Sequence, residues 1–325
     1  MRKGRQMDLQ RRNFIKQSLA GFGAVAAYGG VKTPSALSTP AEGSYANRKN
    51  PFSTDPNAQV LLTPEVKTSR IGFGTGMSGY QRSAQLTRMD RKKAVALLNH
   101  AYDRGIRFFD CADLYGTHEI VSTTFKDKPR DSYTLTSKIW VHSGGIPEKE
   151  RPSADVVVKR FLKELNTDYI DVLQLHCMMK PDWSDELRSY RDDLERLKEQ
   201  GLIRSHGVSC HSLGAIEKGA SDPWVDSMHI RLNATGARMD GSFEANVAAA
   251  RLAQENSKGI ICMKLIGEGT IKDKDQRLAS LEKVVEADVV DVYIVGFEEI
   301  WQVDEFYDHM EIALKKAEAQ RGSTT

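Results

Sequence analysis

The sequence predicts a single closed (β/α)8 barrel, and three observations carry that prediction. Strand-like apolar runs and helical patterns alternate eight times between residues 58 and 325. Gly105, Gly201 and Gly259 each fall between a helical pattern and the next strand, where a left-handed residue commonly ends a helix. No strand runs into a Gly-x-Gly-x-x-Gly turn that opens a helix. Gly72-Phe-Gly-Thr-Gly76 lacks that spacing, which disfavours a doubly wound sheet. A barrel of roughly 250 residues also fits the length.

The chain opens differently. Arg2, Lys3, Arg5, Arg11, Arg12 and Lys16 precede a weakly apolar run from Ser18 to Val31. That run is too short to span a bilayer, which needs about 20 residues. A basic region followed by a short apolar one is the pattern of an export signal. Gln10-Arg-Arg-Asn-Phe-Ile-Lys16 resembles the twin-arginine (Tat) motif, which implies passage of an already folded chain through the Tat machinery, with the bacterial periplasm as the expected destination. Residues 1–32 hold seven Lys/Arg against one Asp, net +6. In a chain of formal charge +2 this leaves the remainder at −4. That balance argues against nucleic acid as a partner and against stable membrane insertion of the mature chain. Residues 33–57, with Pro34, Pro40, Pro51 and Pro56 and no hydrophobic period, read as a disordered tether.

From residue 58 the barrel elements follow in order. Val60–Leu62 and Val66–Thr68 flank Thr63-Pro-Glu65 as a small hairpin. The eight barrel strands are read at Arg70–Gly76, Arg107–Ala112, Tyr133–Trp140, Tyr169–His176, Ser205–Ser209, Met228–Asn233, Gly259–Ile266 and Val289–Val295. Between them apolar residues recur every three or four positions, as in Val157, Val158, Phe161, Leu162 and Leu165.

In such a barrel the strand ends converge on one mouth. Strand two brings Asp110 and, just beyond it, Tyr115. Strand three carries Lys138 in an otherwise apolar run, and strand four ends at His176. A buried ammonium needs a partner, and Asp110 is the obvious one. A lone strand-end His or a lone Asp-Tyr spacing is more often structural, but the four together in strand order point to an active site.

These residues resemble the aldo-keto reductase family from about Val60 to Ile312. The likeness rests on Asp110-Cys-Ala-Asp-Leu-Tyr-Gly116, Lys138, Leu173-Gln-Leu-His176 and Ile203-Arg-Ser-His-Gly-Val-Ser209. It implies an NAD(P)H-dependent oxidoreductase that reduces an aldehyde or ketone, or oxidises the matching alcohol or sugar. Tyr115 would be the general acid or base, Lys138 would lower its pKa, Asp110 would pair Lys138, and His176 would orient the carbonyl. NADP or NAD would be held by Thr75, Ser209, Cys210, His229, Met263, Lys264, Gly296 and Glu298. Several of these depart from the family pattern. Cys210 stands where Asn is usual, His229 where Gln is usual, and Met263 where an aromatic ring often stacks on the nicotinamide. Glu298 and Glu299 replace the Ser, Lys or Arg that face the 2′-phosphate in NADP-preferring members, and they read equally well as first-turn acids of a helix. These departures keep open a second reading, an exported nucleotide-binding barrel that acts as a non-catalytic or regulatory subunit.

Cys111, Cys177, Cys210 and Cys262 form no C-x-x-C pair and read as small buried side chains, with no metal site expected. Met178, Met179 and Trp183 after His176 suit either a pocket wall or core packing.

Overall fold

The computed structural model describes residues 50–323. The segment read as an export signal lies outside the described residues, as does the tether up to residue 49. Two strands, β1 (Gln59–Thr63) and β2 (Val66–Ser69), form the antiparallel hairpin. Eight more close into a parallel barrel: β3 (Ile71–Gly74), β4 (Phe108–Asp110), β5 (Thr134–Trp140), β6 (Ile170–Met178), β7 (Ile203–Cys210), β8 (Ser227–Arg231), β9 (Gly259–Met263) and β10 (Val292–Val295). β10 pairs with both β3 and β9, so the sheet has no edge.

The main helices alternate with the barrel strands as expected: α1 (Arg91–Asp103), α2 (His118–Phe125), α3 (Ala154–Leu165), α4 (Arg188–Glu199), α5 (Leu213–Ser221), α6 (Phe243–Glu255), α7 (Lys274–Ala287) and α8 (Ile300–Gly322). Local chemistry sets their ends. Asp90 caps α1 by accepting from the backbone of Lys92 and Lys93, and Ser212, Ser242 and Asp273 cap α5, α6 and α7. Asn166 (φ 50) and Asp288 (φ 58) close α3 and α7 in the left-handed conformation. Gly105 (φ 114) and Gly201 (φ 74) do the same for α1 and α4. Gly259 is glycine for another reason: Ser257 takes the left-handed turn instead (φ 61), and a Cβ on Gly259 would sit 2.3 Å from the Leu62 carbonyl oxygen.

The alternation along each strand divides the core in two. Outward residues such as Phe109, Leu135, Leu173, Val208 and Ile260 pack under the helices. Inward Phe108, Val172, Ile261, Val292 and Ile294 fill the barrel together with Val60, Leu62 and Val66 of the hairpin. The hairpin therefore plugs the N-terminal end and leaves the C-terminal end for polar groups. Residues 50–57 are anchored near the hairpin. Asn50 exchanges two hydrogen bonds with the Leu61 backbone (2.6 and 3.0 Å) and donates to Asp291 (2.7 Å), and the Arg321 guanidinium covers the Phe52 ring. No described helix is long and apolar enough to cross a membrane.

Met178 and Trp183 pack in the outer core, and Met179 is exposed. All four cysteines are buried free thiols. Burial first of all pushes Cys111, Cys177 and Cys262 up to about 12.

Candidate active site

Lys138 lies on β5 between the outward Ser137 and Ile139 and points into the barrel toward β4. It is 1% exposed. Its ammonium donates to the Asp110 carboxylate on β4 and to the Cys111 carbonyl (3.0 Å). Burial alone would raise the Asp110 pKa. Lys138, and after it His229, outweigh burial and bring it from 3.8 to about 2. The expected ion pair is therefore formed.

Tyr115 ends a 3-10 turn, Asp113–Tyr115, that Gly116 closes at φ 69. The turn is gripped through Asp113, whose carboxylate accepts from Arg160 on α3 (2.6 and 2.9 Å) and from Arg82 (3.1 and 3.2 Å). Arg82 also reaches Glu150 (2.7 Å), tying the loops after β3, β4 and β5 together. Tyr115 Oη lies 3.5 Å from His176 Nε2, with the two rings nearly perpendicular (87°). That separation is at the limit of a hydrogen bond. It leaves both groups able to reach one oxygen placed between them.

Asp110, Tyr115 and His176 border a single cavity, with Lys138 bonded to Asp110 behind its wall; Met263, Lys264 and Gly296 line it as well, and it holds about 690 Å3 of unfilled space, part of it open to solvent. Gly74, Gly76 and Gly269 expose backbone to it, and His211 and Glu268 complete the wall. The remaining residues expected at the cofactor do not line this cavity. Thr75 Oγ1 donates to the Asp110 carbonyl (2.8 Å), and Ser209 Oγ accepts from the Cys177 backbone (2.8 Å). Cys210, one residue further along β7, faces outward with Sγ 3.6 Å from the Ala215 carbonyl, because successive strand residues point to opposite faces. His229 lies buried next to Asp110. Glu298 sits just before α8, where Gln302 Oε1 accepts from the backbone N–H groups of Glu298 (2.7 Å) and Glu299 (3.1 Å). The Glu299 carboxylate pairs with Lys93. Among the described residues no cluster is arranged to hold a metal ion.

The model of the aldo/keto reductase family matches residues 70–289, most of the chain. The chain belongs to the aldo/keto reductase family. Among curated relatives, it is 32% identical over 158 residues to "Aldo-keto reductase YhdN" of Bacillus subtilis, covering 46% of this chain and 45% of that one. It is 29% identical over 141 residues to "Methylglyoxal reductase DkgB" of Salmonella typhi, covering 43% and 50%. The chain thus spans about half the length of the curated relatives it matches. Among solved structures, aldo-keto reductase AKR11C1 of Bacillus halodurans superposes with a TM-score of 0.62 at 20% identity, over 80% of this chain and 95% of that one. An aldo/keto reductase of Klebsiella pneumoniae in complex with NADP and acetate does so with 0.58 at 21%, over 78% and 89%. At these identities the superpositions speak for the fold.

Within this aldo/keto reductase, electrostatics depart from expectation at one point. The Tyr115 phenol is pushed well above its ordinary 10, by burial first and by Asp110 next. The Lys138 ammonium is committed to Asp110, which offsets much of its charge at the phenol. His176 is held well below 6.5 by burial and then by Lys138, so its ring is neutral. Sequence reasoning missed His211, Glu268 and the Arg82–Asp113–Arg160 grip. His211 had a signal, two positions past Ser209 at a strand end. Glu268, between Gly267 and Gly269, and Arg82, far from Asp113 in sequence, had none.

Proposed function

We propose that this chain is an NAD(P)H-dependent oxidoreductase that reduces an aldehyde or ketone, or oxidises the corresponding alcohol. The observation that carries this reading is the meeting of Asp110, Tyr115 and His176 at one cavity, with Lys138 bonded to Asp110 behind them and with Tyr115 Oη and His176 Nε2 3.5 Å apart. The wall fits a nicotinamide dinucleotide. Gly74, Gly76 and Gly296 leave a side-chain-free face, and a Cβ on Gly296 would press to 3.1 Å on the Gly74 carbonyl oxygen. Lys264 brings a cation, at present paired with Glu268 (2.8 Å), and Arg238 stands 3.6 Å from that same carboxylate. Met263 offers a flat thioether face. NADP or NAD would be the cofactor, and when bound it supplies the hydride.

The residues then do the following. Tyr115 Oη, kept as a neutral phenol, donates its proton to the substrate oxygen. His176 Nε2, neutral and 3.5 Å away, donates a hydrogen bond to the same oxygen and orients it. Lys138 acts once the proton has left, when its ammonium stabilises the phenolate. Asp110 holds that ammonium in place through their ion pair. In the oxidative direction the phenolate takes the proton back.

Export to the bacterial periplasm through the Tat machinery is also proposed, from the basic and then apolar pattern of residues 2–31 and the motif at residues 10–16. The test of the main reading is to measure nucleotide binding by the purified chain, then oxidation of NADPH and NADH with a panel of simple aldehydes. Turnover above that of a Tyr115→Phe control supports the enzyme. Tight nucleotide binding with no turnover on any carbonyl or alcohol would favour a non-catalytic subunit.

A further inference from the structure

His229 is a buried ionisable residue beside the site that the proposed reaction leaves without a task. It lies on β8, paired in register with Ser209 and Ile261, and is 0% exposed. It does not line the cavity. Its Nε2 stands 3.1 Å from Asp110 Oδ1, the same oxygen that receives Lys138 Nζ. The contact is close enough for each group to shift the other, the imidazole lowering Asp110 and the carboxylate raising His229, but neither ring nitrogen is well aligned for a hydrogen bond. The N–H direction misses the carboxylate, although the distance is right. Burial, and then Lys138 against the opposing pull of Asp110, holds the imidazole below its ordinary pKa, so it is a neutral ring with a single N–H. A buried donor left unsatisfied costs stability that an apolar side chain of similar volume would not.

We propose that His229 is a positioning residue that takes over Asp110 when Lys138 is drawn to Tyr115. This rests on the oxidoreductase reading above. At rest Lys138 Nζ bonds Asp110 and lies 5.3 Å from the centre of the Tyr115 ring. Once Tyr115 has given up its proton, the new phenolate competes with Asp110 for that ammonium. Without a second donor, Asp110 would become a buried carboxylate stripped of its partner, which would hold Lys138 back. His229 Nε2 is already at hydrogen-bond distance from Oδ1 and needs only a ring rotation to aim its N–H there. No proton changes hands and no bond is made or broken beyond the hydrogen bonds.

The test uses the full chain with His229→Leu and His229→Gln. The expected result for His229→Leu is a kcat lower by about tenfold or more, as for the loss of one hydrogen bond to a charged group. KM for aldehyde and nucleotide should stay within about twofold and Tm should be unchanged or higher, as befits removal of an orphaned polar ring. His229→Gln restores a neutral donor and should lie within about threefold of the parent. A His229→Leu kcat equal to the parent's would overturn the proposal in favour of a passive filler. A raised nucleotide KM with kcat intact would overturn it in favour of a cofactor contact. A second measurement does not need turnover: 15N NMR of histidine-labelled protein should show His229 in the Nε2–H tautomer, with a resonance that moves in Asp110→Asn. The Nδ1–H tautomer, or no response to Asp110→Asn, overturns the proposal. If the parent reduces no carbonyl, the oxidoreductase reading fails on its own, and the NMR result alone decides whether His229 serves Asp110.

Discussion

Gly76 is packed flat against Tyr115: a Cβ at Gly76 would lie 2.2 Å from Tyr115 Cε2 and 2.3 Å from Cζ. Gly79 presses the same ring from the same loop, where its Cβ would meet Cδ1 at 2.6 Å. The loop after β3 therefore fixes the phenol by having no side chain in its way. Gly76→Ala must push the ring aside. A displacement of about 1 Å at a reacting group can cost on the order of 100-fold in rate, and crowding a packed site costs about 1–3 kcal/mol. The expected outcome is a kcat/KM down by that order with nucleotide affinity retained, read by steady-state kinetics and nucleotide titration.

Asp113 holds the same phenol from below. Its carboxylate is 1% exposed and takes both Arg82 and Arg160, which are partly exposed. Asp113→Ala removes the anion that the two guanidinium groups share and leaves Arg82 only Glu150 and Arg160 only Glu164. Breaking a buried pair from one side costs about 3–5 kcal/mol. The partial exposure of both arginines lowers that to roughly 2–3 kcal/mol, because solvent screens them. Asp113→Ala should lower the denaturation midpoint accordingly and reduce kcat more than it raises KM. Arg82→Gln, which leaves the Arg160 bridge in place, should show a smaller effect of the same kind.

The sequence made the barrel legible because its signals are local. Strand alternation, the helix period and the closing glycines each act within a few residues. Asp110, Tyr115, Lys138 and His176 were readable for a related reason: once the strands were numbered, their ends had to meet at one mouth. What could not be read depends on which way a side chain turns at the rim. Cys210 and Ser209 are neighbours in sequence, yet one faces the helices and the other the Cys177 backbone. His229, expected at the cofactor, lies beside Asp110, a placement that its spacing does not reveal. The direction of the Tyr115 shift comes from its burial first and from Asp110 next, and no spacing encodes how deeply one ring is buried.

Acid should weaken the fold in two windows. Burial holds His176, His211 and His229 below the ordinary 6.5 and brings His206 to about 4. The unfolded chain therefore binds these protons first, and stability falls as pH drops below about 6.5. Asp110 and Glu164 are instead lowered, from 3.8 and 4.5 to about 2 in each case. Their contribution is complete above those ordinary values and is lost as pH falls through about 2. His206 lies flat on Trp224, with centroids 4.4 Å apart, so His206→Phe can keep the stacking. Urea midpoints measured from pH 7 to 4 should fall less steeply in that variant than in the parent.

Export through the twin-arginine route makes a separate prediction, carried by Arg11 and Arg12. Replacing both with Lys keeps the charge and removes the motif. In a bacterial host the parent should be found in the periplasmic fraction and the double variant should stay in the cytoplasm, as followed by fractionation and immunoblot. Equal periplasmic amounts of both would remove the twin-arginine reading.

The protonation states of Tyr115 and His176 fix the pH dependence of the chemistry. Carbonyl reduction needs the phenol protonated, and burial together with Asp110 raises its pKa above 10. It also needs a hydrogen bond donated by His176, which a neutral ring provides throughout the range above its lowered pKa. Reduction should therefore show no loss from these two groups between about pH 6.5 and 10. Alcohol oxidation needs the phenolate, so its kcat should climb with pH toward 10 without levelling off. Tyr115→Phe removes the proton donor, and the expected loss in kcat is about 10²–10⁴-fold in both directions, with the oxidative rise in pH gone and nucleotide affinity kept. A clear decline of the reductive rate with an apparent pKa near 7 would instead mean that Lys138 depresses the phenol, as the sequence alone suggests, once the cavity is filled.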